Sequence, residues 1–263
     1  MPNHVTNILE FDCSKERSRE IMESFKADGQ GYGTIDFNKI IPMPESLNMT
    51  AGSETDHAIE IYLTAVNPKT KDYGYPKLPQ KDFLSLYRAL NYERVFMVYN
   101  DQLNDGEIRK YIMPNSFESY FEIGKQAVDN MKEYGATTWY NWCISNWGSK
   151  WSAYDCVSVD PADGYMTFLT AWSSVPSIVQ KISERFPDVR IHYSWADEDL
   201  GNNTGRREYL AGEEIYRDIP EGGSRHAFEI ACDVQGYDID EISFGPEPSE
   251  SEKQAKNKNR DAR

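Results

Sequence analysis

The chain has 263 residues, a net charge of −15 and a pI near 4.7. A chain this acidic repels phosphate backbones, so direct nucleic-acid binding is not expected. Aromatic residues make up 13% of the chain and can fill a packed core, which excludes a largely disordered protein. The acidity leaves three interpretations open: an ordinary acidic protein, a protein that seeks basic partners, or an imitation of nucleic-acid charge.

The cysteines indicate free thiols. Cys13, Cys143, Cys156 and Cys232 form no C-x-x-C pair and have no histidine at ligand spacing, so no metal is predicted. No phosphate-binding or dinucleotide-binding glycine motif is present in the sequence, so no cofactor is predicted either. Residues 1–12 lack a signal-peptide pattern, and no apolar run approaches the ~18 residues of a membrane helix. We therefore expect a cytoplasmic protein that makes no membrane contact.

The chain begins with a β-α-β pattern. Residues 5–11 alternate apolar and polar side chains like a half-buried strand, and residues 34–41 alternate again. Between them, Asp12 or Ser14 can cap a helix. Residues 50–135 instead show helical periodicity, which predicts a mainly helical insertion.

The insertion and the C-terminus set the predicted domain boundaries. Within the insertion, one helix is predicted to open near Leu78 after a loop at 67–77, and another is capped by Ser116. Residues 246–263 are charged and contain no aromatic residue, which predicts a disordered tail. The sequence therefore predicts a single domain over residues 1–245, interrupted by the insertion.

Residues 139–155 contain four of the six tryptophans, in the run W-Y-N-W-C-I-S-N-W-G-S-K-W-S-A-Y-D. Five side chains share one face at helical spacing: Trp139, Trp142, Cys143, Asn146 and Trp147. Gly148 is expected to end this helix. The spacing favours a core helix, while the alternative is an exposed platform for a nucleotide or a protein partner. Trp151 and Tyr154 follow the helix and are expected to be more exposed.

The second half returns to sheet. Residues 165–172 and 189–195 are predicted strands, separated by a helix that opens at Pro176, and residues 206–215 are predicted as one further strand. The acidic turn at 197–203 resembles a calcium loop, but Gly201 and Asn202 occupy the wrong positions, so a β-hairpin is favoured. Together these elements predict an α+β fold, with a ferredoxin-like antiparallel sheet and packed helices.

Six blocks in order resemble one known family. They read M-P-N-H-V-T-N, I-I-P-M-P-E-S-L, the tryptophan run above, T-A-W-S, F-P-D-V and Y-S-W-A-D-E-D-L-G-N-N-T-G. This pattern is similar to the YubB-type ferredoxin-like family, whose members are carried by phages, prophages and conjugative plasmids of Gram-negative bacteria. The resemblance covers residues 1–45 and 134–212. It implies a ferredoxin-like fold and a mobile-element origin, and it supplies no activity and no catalytic residue.

Two functional hypotheses follow. The first is a non-enzymatic accessory protein that binds a host protein with a basic surface, and so blocks a defence or regulatory factor. Acids from Asp197 to Asp218 would form the acidic surface. The alternative is an enzyme or sequestering protein for a nucleotide-like small molecule held by the Trp/Tyr cluster. The candidate binding residues are Trp151, Tyr154, Asp155, Asn146, Asp197, Glu198, Asp199, Asn202, Asn3 and His4.

Overall fold

The computed structural model describes residues 2–66, 114–157 and 159–242. Five strands are present in this part of the chain: β1 (His4–Asp12), β2 (Tyr165–Ala171), β3 (Arg190–Asp197), β4 (Gly205–Leu210) and β5 (Glu213–Asp218). The helices are α1 (Lys15–Phe25), α2 (Phe37–Ile40), α3 (Ser53–Val66), α4 (Pro114–Tyr134), α5 (Trp139–Trp147), α6 (Pro176–Arg185) and α7 (Arg225–Gln235). The loop predicted at 67–77, the helix predicted near Leu78 and the predicted tail at 246–263 lie outside the described residues.

The strands form one antiparallel sheet in the order β2-β1-β3-β4-β5. The predicted α+β fold, with a ferredoxin-like sheet, packed helices and a helical insertion, is confirmed. Along β1, alternate side chains from Val5 to Phe11 are buried, because one face of the strand packs into the core. On the other face, α7 packs Ile230 and Ala231 against Ala196 of β3.

The chain divides into two compact units. Of the described residues, the first unit takes in 2–35, 153–174 and 179–242 and holds the sheet, α1 and α7. The second takes in 36–66, 114–152 and 175–178 and holds α2 to α5. The second unit thus extends beyond the predicted insertion on both sides. Among the described helices, none is long and apolar enough to span a membrane.

The tryptophan helix α5 lies in the core of the second unit. It ends at Gly148, whose φ of 83° is the left-handed conformation that glycine adopts without strain. Trp142 and Trp147 are each 6% exposed, with their rings edge to face at 5.7 Å. The indole N–H of Trp147 donates to the Ile41 carbonyl at 2.9 Å. These two rings are therefore packing groups and offer no exposed platform for stacking.

The strand prediction for residues 34–41 is wrong, because the structure has the short helix α2 there. The Asp36 side chain accepts a hydrogen bond from the Asn38 amide and caps the helix. Phe37 and Ile40 are both buried and lie three positions apart, a spacing that serves one helical face. Over so few residues, strand and helix periodicities cannot be told apart by sequence alone.

The prediction of one strand over 206–215 is also wrong. The segment folds back at Ala211 and Gly212, whose φ angles of 51° and 83° make the tight turn between β4 and β5. Helix α7, which begins after the Ser224 cap, was not predicted at all.

Candidate binding site at a corner of the sheet

A buried polar network crosses the centre of the sheet. Asn7 is fully buried, and its side-chain oxygen accepts from the Tyr193 hydroxyl at 2.7 Å. Its amide donates to the Thr170 hydroxyl at 2.8 Å and to the Val5 carbonyl at 2.9 Å. The Thr170 hydroxyl donates in turn to the Ser173 carbonyl at 2.7 Å. The network joins β1, β2 and β3 and fixes the segment that follows β2.

That segment is one of four that meet where β1 begins and β2 and β3 end. We call this region the sheet corner and define it as residues 2–5, 153–156, 171–174 and 196–204. Backbone hydrogen bonds join the segments: Trp172 N–H donates to the Asn3 carbonyl at 3.0 Å, and Glu198 N–H donates to the His4 carbonyl at 2.8 Å. The fourth segment is joined through Tyr154, whose hydroxyl lies 2.7 Å from His4 Nδ1.

Asp197 is the buried acceptor at the centre of the corner. It is 4% exposed and accepts from the side-chain amides of Asn3 at 3.1 Å and Asn203 at 3.0 Å. It also accepts from the Asp199 backbone N–H at 3.0 Å. The second amide hydrogen of Asn203 donates to the Trp172 carbonyl at 3.1 Å. Asp197 was predicted as a binding residue, but its burial means that it holds the corner together and cannot itself contact a partner.

Backbone strain is concentrated in the same corner. Asp155, Trp172 and Asn203 have φ angles of 45°, 69° and 41°. In the described part of the chain, the one other non-glycine residue with a positive φ is Ala211 in the hairpin turn. Such conformations cost about 1–3 kcal/mol each and persist where the surrounding structure fixes them.

The corner carries carboxylates without basic partners. Its four segments contain Asp155, Asp197, Glu198 and Asp199 but no lysine or arginine. Asp155, Glu198 and Asp199 are exposed, and no ion pair within the described residues involves any of the three. Burial raises the pKa of Tyr154, and the charges of Asp155 and Glu198 raise it further. The Tyr154 phenol therefore stays protonated at neutral pH, beside an uncompensated negative charge.

Three acids of β4 and β5 differ from those of the corner because they already have partners, whereas the exposed Glu213 has no ion pair within the described residues. Glu208 pairs with His192 and Arg190, and Glu214 pairs with Arg207 and Arg217. The Asp218 carboxylate lies 2.8 Å from a ring nitrogen of His226. The acids predicted to form one acidic surface are thus divided between these strands, where all but Glu213 are paired, and the corner, where the exposed acids have no ion pair within the described residues.

All predicted site residues except Trp151 and Asn146 lie in the sheet corner. Asn202 is among them, and its amide donates to Asp199 at 3.0 Å. Trp151 and Asn146 belong to the second unit. The Lys150 ammonium lies 4.8 Å from the centre of the Trp151 ring, and Asn146 donates within α5 to the Trp142 carbonyl.

Sequence reasoning missed Trp172 and Asn203. Trp172 was taken as the last residue of a strand, but β2 ends at Ala171 and the Trp172 indole is 53% exposed. Asn203 lies in the run G-N-N-T-G, where asparagine and glycine indicate a turn and asparagine tolerates positive φ. The sequence therefore indicated a turn at Asn203, but it did not show that the Asn203 side chain would bind Asp197 and the Trp172 carbonyl.

The chemistry available in the described residues suits binding. Burial is the main cause of a raised pKa at all four cysteines, and it raises the pKa of Cys143 to about 11, so none is an activated thiolate. In the corner, His4 is hydrogen-bonded to a protonated phenol and not to a serine or cysteine nucleophile. The corner can recognise a cationic group without forming or breaking a covalent bond, through its exposed carboxylates, its histidine and its exposed indole.

Part of the chain is similar to a known domain family. A family model described as the ferredoxin-like domain in Api92-like protein matches residues 147–241. No curated protein matches the chain. The crystal structure of protein Api92 from Yersinia pseudotuberculosis is 11% identical, covering 84% of this chain and 99% of that chain with a TM-score of 0.35. Residues 147–241, which include three of the four corner segments, are thus similar to the ferredoxin-like domain of Api92-like proteins, a family of unknown function.

Proposed function

We propose that the protein is a non-enzymatic accessory protein of a phage or conjugative plasmid, and that it binds a basic surface of a host protein in the bacterial cytoplasm. The sheet corner is the binding surface. One observation carries this proposal: four distant segments of the chain meet there and bring together acids that have no basic partner among residues 2–66, 114–157 and 159–242. The mobile-element origin rests on the resemblance of the six sequence blocks.

A basic partner is favoured because the exposed charges of the corner are not compensated within the described part of the chain. Charge complementarity of this kind accelerates association and excludes acidic competitors. The paired acids Glu208 and Glu214 contribute less, since their own arginine and histidine partners already offset them. Occupying the basic surface of a defence or regulatory factor would block that factor.

The enzyme or sequestering alternative has less support. It was predicted to use the Trp/Tyr cluster as a stacking platform, and within that cluster Trp142 and Trp147 are each only 6% exposed. It also needs an activated nucleophile or base for chemistry, and burial keeps the pKa of Tyr154 and of the cysteines raised. Binding through exposed charges needs neither.

The test is a pull-down from bacterial lysate with tagged full-length protein as bait. We expect a stoichiometric partner at about 50 mM salt that is released towards about 500 mM, because salt screens exposed charges. Glu198→Lys should lose this partner. Glu213→Lys is the matched control, since it makes the same charge change at an exposed residue of β5. A partner that is indifferent to salt, or that Glu198→Lys retains as well as Glu213→Lys does, contradicts the proposal.

A further inference from the structure

The fold fixes the backbone of Trp172 and leaves about half of the residue exposed. The indole is 53% exposed and makes no ring contact or hydrogen bond with the described residues. The backbone is fixed on both sides of the residue, because the N–H donates to Asn3 and the carbonyl accepts from Asn203. Its φ of 69° is unfavourable for a tryptophan.

The two residues that hold Trp172 are themselves joined through Asp197. Asn3 donates to one oxygen of the Asp197 carboxylate and Asn203 donates to the other. Trp172, Asn3, Asp197 and Asn203 therefore form a closed ring of hydrogen bonds. Asp197 accepts from these amides and has no cationic partner among the described residues, so its position in the ring accounts for its burial. The ring fixes the backbone of Trp172 and with it the direction of the Cα–Cβ bond that carries the indole.

We propose that Trp172 is the anchor of the sheet corner and that it stacks on an arginine side chain of the partner. This inference rests on the proposed function and adds the chemical group that is recognised. Tryptophan is enriched among the residues that dominate interface energies. Its face also attracts a guanidinium group more strongly than the other aromatic rings do.

The acids of the sheet corner favour arginine over lysine as the group that Trp172 contacts. Asp155 and Glu198 are exposed in the same corner, and neither has an ion-pair partner within the described residues. A guanidinium can stack on the indole with its plane while its N–H groups donate in pairs to a carboxylate. A lysine ammonium is a point charge that cannot make both contacts in this way.

The test uses labelled hexa-arginine and hexa-lysine peptides, whose binding to full-length protein is followed by fluorescence polarisation at low salt. We expect hexa-arginine to bind more tightly than hexa-lysine. Trp172→Ala changes no charge and should weaken hexa-arginine binding about tenfold, while Trp172→Phe should restore part of the loss. Tyr237→Ala is the control, because Tyr237 is an aromatic residue of α7's C-terminal flank that is 58% exposed. Its binding should equal that of the wild type.

The outcomes separate this inference from the proposed function. If both peptides bind with equal affinity and Trp172→Ala leaves that affinity unchanged, the role of Trp172 as an anchor is overturned. The proposed function still stands in that case if Glu198→Lys weakens peptide binding. If neither peptide binds at low salt, both are contradicted. Asn203→Ala tests the hydrogen-bonded ring: we expect a partial loss of preference for arginine, with Trp172 still present. An unchanged preference would overturn the positioning role of Asn203.

Discussion

Replacing Trp172 by glycine and by alanine measures the strain at the sheet corner. Both variants remove the indole, so they lose the same side-chain contacts, and the difference between them reports on the backbone. A left-handed conformation costs a non-glycine residue about 1–2 kcal/mol. Glycine avoids that cost but loses about 0.5–1 kcal/mol more conformational entropy on folding than alanine. At a φ of 69°, Trp172→Gly should therefore be more stable than Trp172→Ala, by up to about 1.5 kcal/mol.

The matched pair is Tyr237→Gly and Tyr237→Ala. Tyr237 is also exposed, but its φ is not positive, so alanine should be the more stable variant there by about 0.4–1 kcal/mol. Free energies of unfolding from urea titrations give all four values, provided that the slopes agree. If alanine exceeds glycine by the same margin at both positions, Trp172 carries no strain. That result would show that the left-handed backbone at Trp172 costs the fold no free energy, and it would refute the strain inferred for this position.

Three further predictions concern the core and the thiols. Trp147→Ala should lower the free energy of unfolding by about 3–5 kcal/mol, because the ring is 6% exposed and hydrogen-bonded to Ile41; a loss under about 1 kcal/mol in urea unfolding would contradict its core role. Asn7→Ala should cost about 2–3 kcal/mol in the same assay, since it removes the buried hydrogen bonds that the Asn7 side chain makes with Tyr193, Thr170 and Val5; a near-neutral change would argue against that network. Burial raises the pKa of Cys143 to about 11, so its thiol stays protonated at pH 8. Iodoacetamide should therefore label Cys143 slowly in the native protein and quickly in the urea-unfolded protein, as followed by mass spectrometry. Fast labelling of the native protein would refute this.

The strands that bury one face could be predicted from the sequence. In β1 and β3 the alternation of side chains matches the observed burial, because a sheet packed on one side imposes a period of two. The caps of α1 and α5 were also readable, from Ser14 and from Gly148. Helix α2 was not, since it has a single turn. The β4–β5 turn was hidden because alanine rarely adopts a φ of 51°.

The sheet corner could be predicted in composition but not in arrangement. Asn3, His4 and Asp155 were among the predicted binding residues, and so were the acids of the turn at 197–203. The role of Asp197 was not visible, because the hydrogen bond that its carboxylate accepts from Asn3 joins residues 194 positions apart in the chain. Trp172 was hidden for a related reason: a positive φ and a fixed backbone are consequences of tertiary hydrogen bonds, which leave no local pattern.

Hydrogen–deuterium exchange of the protein, alone and with its captured partner, tests the central claim most directly. The account predicts that protection on binding is concentrated in the four corner segments, residues 2–5, 153–156, 171–174 and 196–204, and that it is lost in Trp172→Ala but kept in Tyr237→Ala. Protection centred on β5 and α7, with the corner segments unchanged, would contradict the account and would move the binding surface to the opposite side of β3 in the sheet.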